Sequence, residues 1–219
     1  MYTGYSGAEF TDLLVKMLGL AVNPSRLNNI LDISELVRDT IIERNKDKAE
    51  EIIYNSIPGL EELFQASYNP VHILEELIKM PANTLGYLYA EHMYRNNLKF
   101  FPVKSHKEQN IHNFFFKRIR ETHDIIHVIT GFNTDNLGEI GIEGFYLGQA
   151  MLPNLYCLMI ARMSHILFDD KIFDGQLYLQ VLTKGFQMGQ TAEKVLGLKW
   201  EDMWLEDLEN LRNKLRIIC

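Results

Sequence analysis

The 219 residues read as an all-α chain. Three observations predict this. Apolar residues recur at three-and-four spacing along most of the chain, and no segment keeps the strict alternation of a half-buried strand. Prolines and Pro-Gly pairs fall where the periodic segments stop.

The first predicted helix carries Phe10, Leu13, Leu14, Met17 and Leu18 on one face, and Gly19 weakens its end. Pro24-Ser25 opens a second, running to about Arg44, with Leu27, Ile30, Leu31, Leu36, Val37, Thr40 and Ile41 as its apolar side. Pro58-Gly59 breaks the next segment. Asn69-Pro70 begins another helix with Ile73, Leu74, Leu77 and Ile78, and Pro81 ends it. Asn83 is placed to cap a helix bearing Leu85, Leu88, Tyr89, His92 and Met93. After a loop over 99–109, a helix is expected over 110–129, then a loop over Thr130 to Gly138. A long helix from about Glu139 or Gly144, kinked at Pro153, is expected to reach Phe168. Another spans 175–189. The last, 201–217, stripes Trp204, Leu208, Leu211 and Leu215, with acids early and bases late. No linker or repeat interrupts, so residues 1–219 are read as one domain.

Hydrophobic residues at 47% and charged residues at 23% match an ordinary globular protein and exclude disorder. The 29 acidic residues outnumber the 22 basic ones, giving a net charge of −7, against a general nucleic-acid binder. The two cysteines, Cys157 and Cys219, suggest no disulfide framework and fit a reducing compartment. Residues 1–10 show neither a secretory nor a transit pattern, so a cytoplasmic location is expected. Gly144 to Ala161 carries no charge, but Gly148, Gln149, Pro153 and Asn154 interrupt it. It reads as a buried helix rather than a membrane span.

Chemistry concentrates between Arg120 and Glu139. On a helix, with His123 at zero, Asp124 lies at about 100° and His127 at about 40°. Two imidazoles at i and i+4 can reach one cation, and a neighbouring carboxylate can ligate it or orient an imidazole. Glu139 follows after a glycine-bearing loop long enough to bring a carboxylate back over that face. Mixed nitrogen and oxygen donors suit Zn, Fe, Mn or Co better than Ca. The alternative is core histidines satisfied by carboxylates. Gly144-x-x-x-Gly148 and Gly185-x-x-x-Gly189 read as close helix packing. Cys157 reads as buried and inert, and His92 and His165 as satisfied histidines among apolar neighbours. Two aromatic-basic stretches, Lys99 to Lys104 and Phe114 to Arg120, have the character of membrane-surface contacts. Apolar side chains packed inward is the other reading. The segment from Phe145 to Ile166, with its methionines, reads as core or as the wall of an adaptable cavity.

His123-Asp124-x-x-His127-x-x-x-Gly131, followed six residues later by Gly138-Glu139, resembles the signature of the coenzyme Q biosynthesis protein 4 family. Leu85-Gly86-Tyr87 with Tyr89-Ala90, and the segment 198–217, are similar to the family's flanking helices. Residues 125 and 126 are Ile125 and Ile126, where family members often carry aromatics. The resemblance implies an all-α protein, peripheral to a membrane, acting in quinone biosynthesis. It also implies His123, Asp124, His127 and Glu139 as ligands of a divalent metal. The implied activity is oxidative decarboxylation of a prenylated hydroxybenzoate at the ring carbon bearing the carboxylate. The isoprenoid tail then needs an apolar wall, for which Phe145, Met151, Leu152, Leu155 and Met159 are the candidates.

Two alternative functions follow. The chain could be a non-catalytic isoprenoid-binding scaffold for other quinone-biosynthesis proteins. It could be an HD-type metal phosphohydrolase using His123-Asp124 with His92 and Asp169 or Asp170. The C-terminal stripe with Trp200 suits a homodimer seam as well as a core.

Overall fold

A computed structural model describes residues 6–23, 27–37, 43–100, 110–151, 153–168 and 175–218. The described residues form eleven α-helices and three short 3-10 segments, with no β-strand. Pro24, Ser25, Thr40, Ile41, residues 101–104, Leu152, Asp169, Asp170 and Cys219 lie outside them, as do the side chains of Leu27, Leu31 and Ile166. The chain divides into two compact units. One comprises Met1–Ala49 and Asp135–Gln190, the other Glu50–Thr134 and Thr191–Cys219.

In the first unit, α1 (Gly7–Val22) begins at Ser6, whose hydroxyl accepts from Glu9 N–H while the Glu9 carboxylate accepts from Ser6 N–H. Leu13 and Leu20 of α1 pack with Ile33 and Val37 of α2 (Leu27–Val37) and with Leu158 and Ala161 farther along the chain. The expected apolar stripe is displaced: Phe10, Leu14 and Leu18 are exposed, and Gly19 lies inside the helix. α1 is apolar on more than one face, so periodicity alone could not select the buried one. α2 is described over Leu27–Val37; the expected continuation over 38–42 lies outside the described residues, and Glu43–Asn45 form a 3-10 turn rather than the expected helix end.

The long helix expected to end at Phe168 is two helices, α8 (Asn136–Gln149) and α9 (Pro153–Met163), followed by a 3-10 turn, Ser164–Leu167. Ala150 is extended, and Pro153 opens α9, where its missing N–H costs no hydrogen bond. α10 (Gly175–Thr191) packs against α8 through glycines, as their spacing predicts. A Cβ on Gly185 would collide with the Gly141 carbonyl, and one on Gly144 would lie 2.5 Å from Leu182 O. Backbone cannot yield as a flexible side chain can. Gly185→Ala is therefore expected to destabilise the protein by about 1–3 kcal/mol, read from the denaturant midpoint.

The second unit holds most of α3 (Lys46–Ser56), then α4 (Leu60–Gln65), α5 (Leu74–Leu77), α6 (Leu85–Arg95), α7 (Ile111–Thr130) and α11 (Leu208–Leu215). The helix expected after Asn69-Pro70 is the single turn α5. Thr84, rather than Asn83, caps α6, accepting from Tyr87 N–H. Asn83 instead donates to Asp207 Oδ2 at 2.7 Å. The last predicted helix is also shorter. Asp207 caps α11 by accepting from Asn210 N–H, and the chain before it forms a 3-10 turn, Trp200–Met203. That stretch is laid along the start of α6: Leu85 N–H donates to Glu206 O and Gly86 N–H to Trp204 O, both at 2.9 Å.

The stretch from Phe114 to Arg120 is no membrane contact at its core. Phe114, Phe115, Phe116, Lys117 and Arg118 are buried in α7. The two cations are paired inside the unit. Arg118 donates from Nη1 to Glu201 Oε1 at 3.1 Å and to Glu121 Oε2 at 3.2 Å, and Lys117 Nζ lies 2.7 Å from Glu121 Oε1.

His72 sits edge-on to Tyr89 and Trp204, 3.7 Å from Glu201 Oε1. Burial holds its imidazole below the ordinary histidine range; Glu201 and Glu121 pull upward and Arg118 downward. The unfolded chain therefore takes up the proton first. Stability is full above a pH of about 6.5 and falls as pH drops through it toward the lower folded value. The denaturant midpoint is expected to fall between about pH 7.5 and about pH 5.5, and His72→Gln to flatten that slope.

Candidate metal centre

α7 presents its histidines through firmly held ends. Asn110 caps it by accepting from Asn113 N–H at 2.9 Å. At the other end Gly131 takes φ 75°, a conformation that a side chain would strain, and its N–H donates to His127 O. Arg212 of α11 donates to the carbonyls of Val128 and Ile129, each at 2.9 Å. The last turn of α7, where helix carbonyls lack partners, is thereby closed.

His127 is buried, and its Nδ1 lies 2.9 Å from Phe132 O. A carbonyl only accepts, so Nδ1 carries the proton and Nε2 of the neutral ring is the acceptor nitrogen. That Nε2 lies 3.2 Å from His123 Nε2, with the two rings nearly perpendicular. Two nitrogens on one tetrahedral ion stand about 3.3 Å apart, given bonds of about 2.0–2.1 Å. The spacing suits a shared cation.

The loop expected over Thr130 to Gly138 gives way to helix earlier than its composition suggests, before Glu139 is reached. Asp135 accepts from Gly138 N–H at 2.8 Å and starts α8 at Asn136, so Glu139 stands in the first helical turn. The ligand atoms of His123, His127 and Glu139 lie within 4.8 Å of one another. His127 is buried and the other two are half-buried. Two imidazoles and a carboxylate are a donor set that can hold a divalent transition metal and leave positions open.

Asp124 is not part of that group. Its Oδ1 lies 3.9 Å from His92 Nε2. His92, on α6, stacks on His127 with ring centroids 5.8 Å apart, and burial holds its imidazole below the usual histidine range. It thus stands beside the histidine pair rather than merely among apolar residues. His165 is satisfied locally, its Nδ1 lying 2.6 Å from Ala21 O.

Of the apolar candidates, Phe145 and Leu155 are buried, Met159 is half-buried and Met151 is exposed. Ile125 and Ile126 are fully buried. Burial raises the Cys157 thiol above its ordinary range, in keeping with an inert group. No helix among the described residues is long and apolar enough to cross a membrane.

Several partners of the site escape sequence reading. Arg162 pairs with Glu139, Arg212 closes α7, and the Phe132 carbonyl sets the His127 tautomer. Only the Gly131 turn after His127 hinted at the last.

The family model for "Coenzyme Q (ubiquinone) biosynthesis protein Coq4" matches residues 17–219. The chain belongs to this family. One relative, the mitochondrial ubiquinone biosynthesis protein COQ4 homolog of Aedes aegypti, is 29% identical over 84% of this chain and 63% of its own length. Another, mitochondrial ubiquinone biosynthesis protein COQ4 of Saccharomyces cerevisiae (strain AWRI1631), is 32% identical over 66% of this chain and 43% of its own. This Coq4-family chain therefore spans roughly half of those relatives' lengths. A crystal structure of a putative ubiquinone biosynthesis protein from Nostoc punctiforme PCC 73102 aligns with a TM-score of 0.80. It covers 98% of this chain and 100% of that one at 24% identity, showing a common fold.

Proposed function

We propose that this Coq4-family chain is a metal-dependent enzyme of ubiquinone biosynthesis that replaces the ring carboxylate of an isoprenoid-tailed hydroxybenzoate with a hydroxyl by oxidative decarboxylation: the bond to the carboxylate breaks to release CO₂, dioxygen supplies the oxygen of the new C–O bond, and a two-electron reductant takes its second oxygen to water. The supporting observation is the His127 tautomer: Phe132 O holds the proton on Nδ1, which aims an acceptor Nε2 at His123 Nε2. His123, His127 and Glu139 hold the ion, and Asp124 adds negative charge beside them. A divalent ion there supplies Lewis acidity toward the substrate's carboxylate and adjacent phenol oxygen.

The remaining work falls to the chain. Phe132 and Arg212 keep the His127 turn in place. Exposed Met151 and half-buried Met159 offer flexible apolar surface to the tail.

The test is release of CO₂ from prenylated hydroxybenzoates by protein loaded with Zn, Fe, Mn or Co, compared with Glu139→Ala. Turnover in the wild type and its loss in the variant supports the reading. Inertness with every metal and head group overturns it. The second reading is an isoprenoid-binding scaffold, favoured by the exposed Phe10, Leu14, Leu18 and Val22 of α1. It predicts lipid binding that survives Glu139→Ala. An HD-type phosphohydrolase gives no role to His127 and Glu139, two of the three residues that come together.

A further inference from the structure

Glu139 and Glu143 lie one turn apart on α8, so their side chains share a face. Arg162 of α9 is buried and meets both. Its Nη2 donates to Glu139 Oε2 at 3.2 Å, and its Nε donates to Glu143 Oε1 at 2.6 Å. A carboxylate turns about its last bond with only broad preferences. A charge-assisted hydrogen bond to one oxygen removes that freedom, and the planar guanidinium can serve two carboxylates at once.

We propose that Arg162 is a positioning residue for the metal centre: it fixes the orientation in which the Glu139 carboxylate meets the His123 and His127 nitrogens, while Glu143 fixes Arg162. This rests on the metal reading above. Outer partners of metal-bound carboxylates and histidines characteristically tune affinity by about 10–100-fold. Lysine keeps the charge but lacks the fork, so Arg162→Lys separates orientation from simple charge balance.

The experiment uses Co(II) as probe on the metal-free full chain. It reads the visible absorption bands, the apparent affinity against a competing chelator, and the circular dichroism melt. The wild type is expected to take up one Co(II). Arg162→Lys is expected to melt as a folded protein, bind Co(II) about 10–100-fold more weakly and shift the visible bands. Should that variant fail to fold, the double variant Arg162→Gln with Glu143→Gln removes the bridge and one charge of each sign. The same weakening and band shift are expected there. Wild-type affinity and bands in a folded variant overturn the positioning role and leave the metal reading intact. No Co(II) uptake by the wild type overturns both.

Discussion

Replacing His127 with alanine is expected to abolish metal retention. After metal-limited purification and reloading, elemental analysis should find one ion per wild-type chain and almost none in the variant. The expected fall in affinity exceeds about 100-fold, the upper end of what losing only an outer partner costs. His127 is the group's buried member, and its tautomer is set by the backbone. Its loss removes both a donor and the element that orients its neighbour. Glu139→Ala should show the same loss. Glu139→Gln, which keeps the shape and a neutral oxygen, should retain part of the binding. Wild-type stoichiometry in His127→Ala would place any bound ion elsewhere.

Arg118→Met is expected to produce the largest loss of stability. Arg118 is fully buried and joins Glu121 of α7 to Glu201. Removing the guanidinium leaves both carboxylates without their shared cation in a region closed to water. Breaking a buried pair from one side typically costs about 3–5 kcal/mol. The denaturant midpoint should fall accordingly. Adding Glu201→Gln should recover part of the loss, because one stranded charge is then gone. An unchanged midpoint in Arg118→Met would show that this network contributes little.

The outline of α7 was legible in the sequence because its signals agree. Asn110 opens it, Phe114, Phe115 and Ile126 stripe it, and a glycine ends it. The imidazole pair was legible for the same reason: i and i+4 on a helix fix a distance without further information. The start of α8 was not. The run TGFNTDNLG is rich in turn residues, yet Asp135 acts as a cap and the helix begins three residues before Glu139. The 201–217 segment misled in the opposite way. Its amphipathic stripe crosses Asp207, whose hydrogen bonds to Asn83 and Asn210 divide it. Arg162 and Arg212 could not be recognised because their roles depend on partners far along the chain. Local periodicity marks which face is apolar; it carries nothing about which distant carbonyl or carboxylate a guanidinium will find.

The seam between the start of α6 and the segment before α11 also bears on biosynthesis. Leu85 and Gly86 donate backbone hydrogen bonds across it to the Glu206 and Trp204 carbonyls, and Leu208 donates to Asn83 O. The unit that contains both His123 and His127 draws on residues 50–134 and then on 191–219. As the chain emerges from the ribosome, the histidine helix is made early and must wait for its final strap. At roughly 5–20 residues per second the delay lasts several seconds. During that interval Arg118 lacks Glu201, and the Val128 and Ile129 carbonyls at the end of the histidine helix lack Arg212. Stable capture of an ion is then expected only after translation has delivered the closing segment, and a nascent chain stalled before residue 191 should be a target for chaperones.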